Sequence, residues 1–189
     1  MGISVVILTK NEEENVKDCI STLHFADEII VVDDNSIDKT SKIAESLGAN
    51  VYKRELMGDF SAQRNFGSEK AVNKWVLFID ADERVPVDLA REIVSMSQKV
   101  SAVKGYLIRR RDFLWGRQLR YGEVGNIKLL RFVRKGSGKW KRQVHEYFSL
   151  IGKVGELRGN LSHYPHQTIT DFLDDIYFYS TLHAKANLS

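Results

Sequence analysis

The 189-residue sequence predicts one α/β domain, with a Rossmann-like, mostly parallel sheet, helices on both faces and a small antiparallel extension. Two observations indicate this. Up to about residue 100, short apolar runs suited to buried strands alternate with segments of helical periodicity, as in parallel sheets. Beyond Val100, charged and apolar residues alternate tightly, which is typical of antiparallel strands with one polar face.

In the first half, we expect strands over residues 3–8, 28–32 and 50–53 and a central strand from Trp75. Asn11, with Glu14 three residues later, resembles a capping box and predicts the start of the first helix. A later helix is expected over residues 61–71. Pro86 occupies the favoured first position of the helix after the central strand. The alternation favours right-handed crossovers between parallel strands.

In the second half, residues 105–113 and 126–134 are predicted strands. A final amphipathic helix is expected to begin at Thr168. Its apolar face predicts a surface that further sequence, a partner or a membrane covers. We therefore expect residues 1–100 to form one half of the domain, residues 101–167 the other, and residues 168–189 the C-terminal helix. The residues of that apolar face are Ile169, Phe172, Leu173, Ile176 and Tyr179.

The composition, 43% hydrophobic and 28% charged, is that of a soluble globular protein. Cys19 is the single cysteine, which excludes an internal disulfide and fits a reducing compartment. No apolar window reaches the length of a membrane span, and the run over residues 3–8 is too short for a signal-peptide core. We expect a cytoplasmic protein, or one bound peripherally to the inner face of the cytoplasmic membrane.

The formal net charge of +3 is unevenly distributed. Between Lys104 and Arg142 there are 13 lysines and arginines against two acids, Asp112 and Glu123. This basic segment favours an anionic partner, such as a nucleotide diphosphate, a phosphorylated acceptor or an anionic membrane surface. A basic face that is merely solvated is the alternative.

The apolar run that starts at Trp75 ends abruptly in Asp80, Asp82 and Glu83. Open α/β sheets bind ligands at the carboxyl ends of their strands. Hard cations such as Mg²⁺ or Mn²⁺ prefer carboxylate oxygens and complete their coordination with waters and substrate phosphates. Asp80 and Asp82 therefore indicate a metal-diphosphate site. The alternative is that the acids begin a loop and Glu83 caps the helix after Pro86.

Four motifs in order resemble family 2 inverting glycosyltransferases of the GT-A fold. The second half, with Val144-His145-Glu146 and Ser162-His163-Tyr164, is similar to the subgroup that includes lipopolysaccharide core β-1,4-glucosyltransferases. The resemblance implies transfer of a hexose such as glucose from a UDP-sugar to a saccharide or glycolipid acceptor, with inversion. The four motifs are Leu8-Thr9-Lys10-Asn11-Glu12-Glu13, Val31-Val32-Asp33-Asp34-Asn35-Ser36-Ile37-Asp38, Gln63-Arg64-Asn65 and Phe78-Ile79-Asp80-Ala81-Asp82-Glu83.

The resemblance makes residues 1–100 the nucleotide-sugar-binding half and residues 101–167 the acceptor-side half of the domain. It also implies the roles of individual residues. Asp33 or Asp34 would accept a hydrogen bond from N3 of uracil, and Arg64 would contact the phosphates or lock the acidic pair. Their alternatives are turn and cap chemistry for the aspartates and an exposed helix arginine for Arg64. The full set expected to bind the nucleotide-sugar is Thr9, Asn11, Glu12, Asp33, Asp34, Arg64, Asp80 and Ala81.

For catalysis, the resemblance implies Asp82 through a bound Mg²⁺ or Mn²⁺. Asp80 would contact the ribose or reach the metal through a water, and His163 would reach the metal or the diphosphate. Inverting transfer is a single displacement, so it needs a general base near the acceptor hydroxyl and no protein nucleophile. The acidic pair that many family members place late in the domain is absent. Glu146 is the best substitute, with His145 beside it as an orienting or phosphate-contacting group or as the alternative base.

Three other functions agree less well with the sequence. An aspartyl-phosphate phosphatase needs Thr or Val two positions after its second aspartate, where this chain has Arg84. A sugar-phosphate nucleotidyltransferase needs a glycine-rich loop after the first strand, but residues 9–14 contain no glycine. Nucleic-acid binding would use the basic segment and its aromatic residues, yet it leaves the acidic strand ends unexplained. We expect no nucleic-acid partner.

Overall fold

The computed structural model describes residues 2–121 and 127–165 and, further on, 168–170, 172–173, 176–177 and 180–181. Its helices are α1 (Val16–Ser21), α2 (Thr40–Ser46), α3 (Phe60–Lys70) and α4 (Val87–Gln98). Its strands are β1 (Ile3–Thr9), β2 (Glu28–Asp33), β3 (Asn50–Lys53), β4 (Trp75–Asp80), β5 (Glu83–Arg84), β6 (Val103–Leu114), β7 (Arg117–Gln118), β8 (Lys128–Arg134), β9 (Gly138–Lys141), β10 (Tyr147–Leu150) and β11 (Lys153–His163).

The described strands form one nine-stranded sheet and one two-stranded sheet. In the large sheet the order is β3-β2-β1-β4-β8-β6-β11-β5, and β7 folds back on β6. Strands β3, β2, β1 and β4 are parallel, as predicted. Strand β8 runs antiparallel to both β4 and β6, and β9 pairs with β10 as a separate hairpin. The predicted α/β class, with its antiparallel extension, is confirmed.

The interiors of the parallel strands β1, β2 and β4 are apolar because both of their faces are covered. On one face, Val5, Ile7 and Leu77 pack in the larger core cluster together with residues of α1 and α4. On the other face, Val6 and Phe78 pack in the second cluster, beneath α3 and the β9–β10 hairpin. Polar side chains are therefore confined to the strand ends, where the buried runs stop.

Helix α3 lies close to the sheet at Gly67. A Cβ atom at this position would lie 2.3 Å from Cγ1 of Val6, so no larger residue fits without movement. The close approach places Arg64, one turn earlier on the helix, against the carboxyl end of β4. Arg64 is 3% exposed.

Two predicted helix starts are wrong. Helix α1 begins at Val16 and not at Asn11, which has a positive φ of 53°. The Asn11 side-chain oxygen accepts a hydrogen bond from the Ile37 backbone N–H at 2.9 Å, so the residue joins two loops and starts no helix. Helix α4 begins at Val87, and Pro86 is its N-cap without a side-chain hydrogen bond. Glu83 lies in β5 and does not cap that helix.

Strand β11 was not predicted. Its sequence, with Gly155 and Gly159 and several charged residues, lacks the alternation that identifies a strand. It lies between β6 and β5, parallel to β6, so the second half is not purely antiparallel. Both halves of the chain share the one sheet, and their division into donor and acceptor sides at residues 100 and 101 stays a prediction.

Residues 169–170, 172–173, 176–177 and 180–181 are helical, in agreement with the predicted C-terminal helix. Ile169, Leu173 and Ile176 are exposed, and Phe172 is partly exposed. Tyr179 of the predicted stripe, residue 126 of a predicted strand and residues 182–189 lie outside the described residues. None of the helices that the structure describes is long and apolar enough to cross a membrane.

Candidate active site

The polar motifs lie at the carboxyl ends of three neighbouring strands. In the sheet register, Thr9 pairs with Asp33 and Leu8 pairs with Asp80. The ends of β1, β2 and β4 therefore meet at one edge, where α/β sheets bind ligands. The acids that follow these strands share that edge, as the sequence predicted.

Asp33 is completely buried, and both of its carboxylate oxygens accept hydrogen bonds from other residues of the protein. Oδ1 accepts hydrogen bonds from the hydroxyls of Thr9 and Ser36, and Oδ2 accepts from the Ser36 N–H and the Ser41 hydroxyl. This pattern is turn chemistry that also ties β1 to β2. Because its oxygens already accept hydrogen bonds from the protein, Asp33 is a weaker candidate than Asp34 for the contact with uracil.

Asp34 is 18% exposed and borders an open cavity of about 390 Å³. Its Oδ1 accepts a hydrogen bond from the Leu56 N–H at 2.9 Å, and its Oδ2 lies 3.4 Å from Nζ of Lys10. Asp34 therefore combines a fixed orientation with access to a ligand. The cavity is lined by Lys10, Asp34, Asn35, Glu55, Leu56, Met57 and Gly58.

Glu12 and Asn11, on the neighbouring loop, are held by contacts to the segment that follows β2. The Glu12 N–H donates to the Thr40 hydroxyl at 2.7 Å, and its carboxylate accepts from the Asn15 amide at 2.9 Å. The Asn11 N–H donates to the Ser36 hydroxyl at 2.9 Å. Through these contacts Asn11 and Glu12 hold their loop against neighbouring parts of the chain. Nucleotide contacts by either residue stay a prediction.

Two arginines hold Asp80. Nη2 of Arg64 lies 2.8 Å from Oδ1, and Nη2 of Arg131 lies 2.9 Å from Oδ2. Burial alone would raise the pKa of Asp80, but the two guanidinium groups hold it well below its usual range. Asp80 is therefore a carboxylate at neutral pH, and both of its oxygens are engaged by the protein.

The three side chains of the Gln63-Arg64-Asn65 motif contact three different parts of the chain. Gln63 bonds to Arg54, and Asn65 exchanges two hydrogen bonds with the backbone of Trp140. Arg64 stacks over the Trp140 ring, with 4.9 Å from Cζ to the ring centroid. Its Nε also lies 2.8 Å from Oε1 of Glu146. Arg64 is therefore no exposed helix arginine, because it joins the acidic turn to the β9–β10 hairpin.

Glu146 and His145 lie in the link between β9 and β10 and not within a strand. Glu146 is 15% exposed, and its contact with Arg64 brings it next to Asp80. His145 is exposed and has a positive φ of 53°. Of the two candidate bases, Glu146 shares Arg64 with the acidic turn, whereas His145 is exposed.

Asp82 lies on the other side of the turn and contacts His163. Nε2 of His163 is 3.1 Å from Oδ2 of Asp82, and Nδ1 is 2.8 Å from Oδ1 of Asp112. Burial alone would lower the pKa of His163, but hydrogen bonds to Asp112 and Asp82 raise it to about 10. His163 is thus an imidazolium that donates from both nitrogens at neutral pH. Ala81 between the two aspartates is buried, and its carbonyl accepts from Arg84.

A divalent cation fits Asp82 better than Asp80. Oδ1 of Asp82 is buried, and among the described residues it has no hydrogen-bond partner, whereas both oxygens of Asp80 are bonded to arginines. The described residues contain no group of three or more potential metal-ligating side chains. One or two carboxylates with substrate phosphates are the usual Mg²⁺ arrangement, so a single strong protein ligand suffices. His163 would have to release a proton before it could join.

The sequence patterns do not identify three residues of the site, which are Glu83 as a buried contact, Asp112 and Arg131. Glu83 is fully buried; burial raises its pKa, and its Oε2 accepts from the Asp80 N–H at 2.8 Å. Asp112 was visible only as one of two acids in a basic segment. Arg131 was one of many basic residues there, and no local pattern distinguishes it.

Comparison with known sequences assigns the chain to a family. The sequence model described as glycosyl transferase family 2 matches residues 4–151. An uncharacterized glycosyltransferase of Rickettsia typhi is 31% identical over 196 residues, covering 97% of this chain and 67% of the relative. The lipopolysaccharide core biosynthesis glycosyltransferase LpsC of Rhizobium meliloti is 29% identical over 191 residues, covering 97% and 71%. The chain spans about two thirds of the length of these relatives.

Comparison with solved structures confirms the GT-A fold. The structure of S. aureus TarS in complex with UDP-GlcNAc has a TM-score of 0.63 and 18% identity, and the match covers 100% of this chain and 67% of TarS. Mannosyl-3-phosphoglycerate synthase from Rubrobacter xylanophilus has a TM-score of 0.52 and 28% identity over 59% of this chain and 41% of that one. Because the family match covers most of its residues, this chain belongs to glycosyl transferase family 2.

Proposed function

We propose that this protein transfers a sugar, such as glucose, from a UDP-sugar to a saccharide or glycolipid acceptor with inversion, assisted by Mg²⁺ or Mn²⁺. The observation that carries the proposal is the bridge made by Arg64, which contacts Asp80 and Glu146 at 2.8 Å each. It brings a candidate general base to the edge of the sheet where a nucleotide diphosphate would lie.

The donor side of the proposal rests on Asp34 and Asp82. Asp34 borders the cavity of about 390 Å³ and would accept the N3–H of uracil there. Asp82, with its unpartnered buried oxygen, would hold the metal ion. Asp80, whose two oxygens already bond to arginines, would contact the ribose or reach the metal through a water. The ion would supply Lewis-acid neutralisation of the diphosphate leaving group. The structure of the relative TarS in complex with UDP supports uracil as the nucleobase of the donor.

The acceptor side rests on Glu146. A carboxylate is a suitable acceptor for the hydroxyl proton in a single displacement, and no covalent protein intermediate is needed. Arg64 fixes the position of this carboxylate by a charge-assisted hydrogen bond. The name of the relative LpsC supports a place in lipopolysaccharide synthesis. A cytoplasmic location, contact with an anionic membrane surface and the lack of a nucleic-acid partner stay predictions.

The deciding experiment is calorimetric titration of UDP into the protein, with Mn²⁺ and with a chelator, repeated on Asp82→Ala. Binding that needs Mn²⁺ and is lost in Asp82→Ala supports the donor site. Asp88→Ala, an exposed aspartate at the start of α4, is the matched control and should bind as the unmodified protein does. If UDP, GDP, dTDP and CDP all fail to bind under every metal condition, the proposed function is wrong.

Transfer itself is then measured with a panel of UDP-hexoses and saccharide acceptors, by the release of UDP. The anomeric configuration of the product, read by NMR, tests inversion. Retention at the anomeric carbon would contradict the single-displacement mechanism and leave the donor site intact.

A further inference from the structure

Arg131 occupies an irregular position in β8. Across β6 and β8, Tyr106 pairs with Phe132, but the next residue, Leu107, pairs with Leu130. Arg131 is therefore an extra residue without a partner on β6, which defines a β-bulge. Bulges re-aim a side chain and occur preferentially next to active sites.

The bulged residue reaches the acidic turn. Nη2 of Arg131 lies 2.9 Å from Oδ2 of Asp80 and 3.8 Å from Oε1 of Glu83, and the side chain is only 7% exposed. A buried guanidinium is tolerated when carboxylates pair with it. Arg131 is thus held in one place by two acids of the same turn.

Those two acids also fix the backbone of the turn. Glu83 accepts a hydrogen bond from the Asp80 N–H at 2.8 Å, which closes residues 80–83 into a compact loop. The Asp82 carbonyl accepts from the Tyr164 N–H at 2.9 Å, so the turn is anchored at both sides. A group that contacts Asp80 and Glu83 therefore determines where the Asp82 carboxylate points.

We propose that Arg131 is a positioning residue for donor binding: through Asp80 and Glu83 it fixes the turn so that Asp82 presents its unpartnered oxygen to a metal-bound nucleoside diphosphate. This inference rests on the proposed function and adds a residue to it. Arg131 itself contacts the acids, and its effect on the donor passes through them.

Loss of a buried cation also destabilises a protein, so the experiment needs a matched arginine. Arg134, on the same strand, is stacked over Trp75 at 5.0 Å and donates to the Ser101 carbonyl at 3.2 Å. It contacts no acid of the turn among the described residues. Arg131→Met and Arg134→Met should both lower the melting temperature, but only the first should change nucleotide binding.

The measurement is calorimetric titration of UDP in the presence of Mn²⁺, at a temperature where circular dichroism shows each variant folded. We expect Arg131→Met to bind UDP about ten- to a hundred-fold more weakly, the range typical of residues that support a metal ligand. Arg134→Met should bind within about two-fold of the unmodified protein. Arg131→Lys keeps the charge, but its compact ammonium does not reproduce the planar, rigid guanidinium, and it should lose about three- to ten-fold.

A double-mutant cycle with Asp80→Asn tests the route of the effect. If Arg131 acts through Asp80, adding Arg131→Met to Asp80→Asn should weaken UDP binding by less than about two-fold more. Fully additive losses, equal losses in both methionine variants, or unchanged binding in folded Arg131→Met would each overturn the inference. Should Arg131→Met fail to fold, Arg131→Lys with unchanged binding would overturn it. Failure of the unmodified protein to bind UDP would instead contradict the proposed function.

Discussion

Nε2 of His163, at the end of β11, lies 3.1 Å from the carboxylate of Asp82, which lies in the turn between β4 and β5. The contact orients Oδ2 of Asp82 and leaves Oδ1 without a partner among the described residues. On its other side the imidazole is held by Asp112, which also pairs with Arg110. The arrangement gives a chain of contacts from Arg110 to the proposed metal ligand.

Replacing Asp112 by Asn should therefore weaken donor binding without touching the donor. The neutral amide holds the imidazole less firmly, and loss of such a supporting group typically costs about ten- to a hundred-fold in metal affinity. The midpoint of a Mn²⁺ titration at saturating UDP, followed by calorimetry, measures the change. Asp88→Asn is the control. An unchanged midpoint in Asp112→Asn would show that Asp112 serves stability alone.

The same contacts predict a pH-dependent stability in the absence of divalent cations. The folded protein raises the pKa of His163 from its ordinary value of 6.5 to about 10, because the bonds to Asp112 and Asp82 outweigh the effect of burial. The stabilisation is complete below pH 6.5 and is lost progressively as the pH rises toward 10. Urea midpoints measured in chelator between pH 6 and pH 10 should fall, and His163→Gln should fall less. Parallel curves for the two proteins would contradict this assignment.

Glu146→Gln should abolish transfer while leaving the donor site intact. The amide preserves the shape of the side chain but accepts no proton, and loss of a general base typically costs about 10²- to 10⁴-fold in rate. Initial rates of UDP release with acceptor present measure the loss, and UDP affinity should change far less. Glu156→Gln, an exposed residue paired with Lys128, is the matched control. Retained activity in Glu146→Gln would transfer the proposed role to another residue, with His145 next in line.

The acidic residues at the strand ends were predictable because the pattern that identifies them is local in the sequence. An apolar run followed by acids identifies β4 and its turn, and the alternation of strands and helices identifies the parallel sheet. The contacts that organise the turn were not predictable, because they come from distant segments. The position of Arg131 depends on a bulge in the pairing of β8 with β6. The contact of Asp112 with His163 depends on β11, whose glycines and charged residues give no recognisable strand pattern. Asn11 failed as a helix start because its side chain bonds to another loop.

Gly67→Ala should destabilise the protein by about 1–3 kcal/mol, the usual cost of overpacking. The new methyl group would meet Val6 at 2.3 Å and force α3 away from the sheet. Urea unfolding measures the loss, and Glu69→Ala, on the exposed side of the same helix, should change stability by less than about 0.5 kcal/mol. An unchanged free energy of unfolding in Gly67→Ala would mean that α3 can shift away from the sheet at little cost. The position of Arg64 would then not be fixed by the close approach at Gly67.

Cys19 should resist thiol reagents in the folded protein. Burial raises the pKa of its thiol far above the ordinary value, and the side chain has no exposed surface. Labelling with a chromogenic disulfide at pH 8 should be slow in buffer and rapid in urea, because the thiolate forms only after unfolding. Rapid labelling in buffer would indicate local opening of α1, and the urea midpoint of labelling should match that from circular dichroism.

Strand β11 brings the histidine to the acidic turn, and it is the last strand of the described chain to be synthesised. Strands β1 to β4 leave the ribosome first and can pair with one another as they emerge. Until residues 153–163 join β6 and β5, Asp82 lacks His163, and the turn lacks its anchor at Tyr164. A partly synthesised chain therefore carries the parallel sheet without its finished acidic turn. The proposed metal site is complete only after β11 has been synthesised.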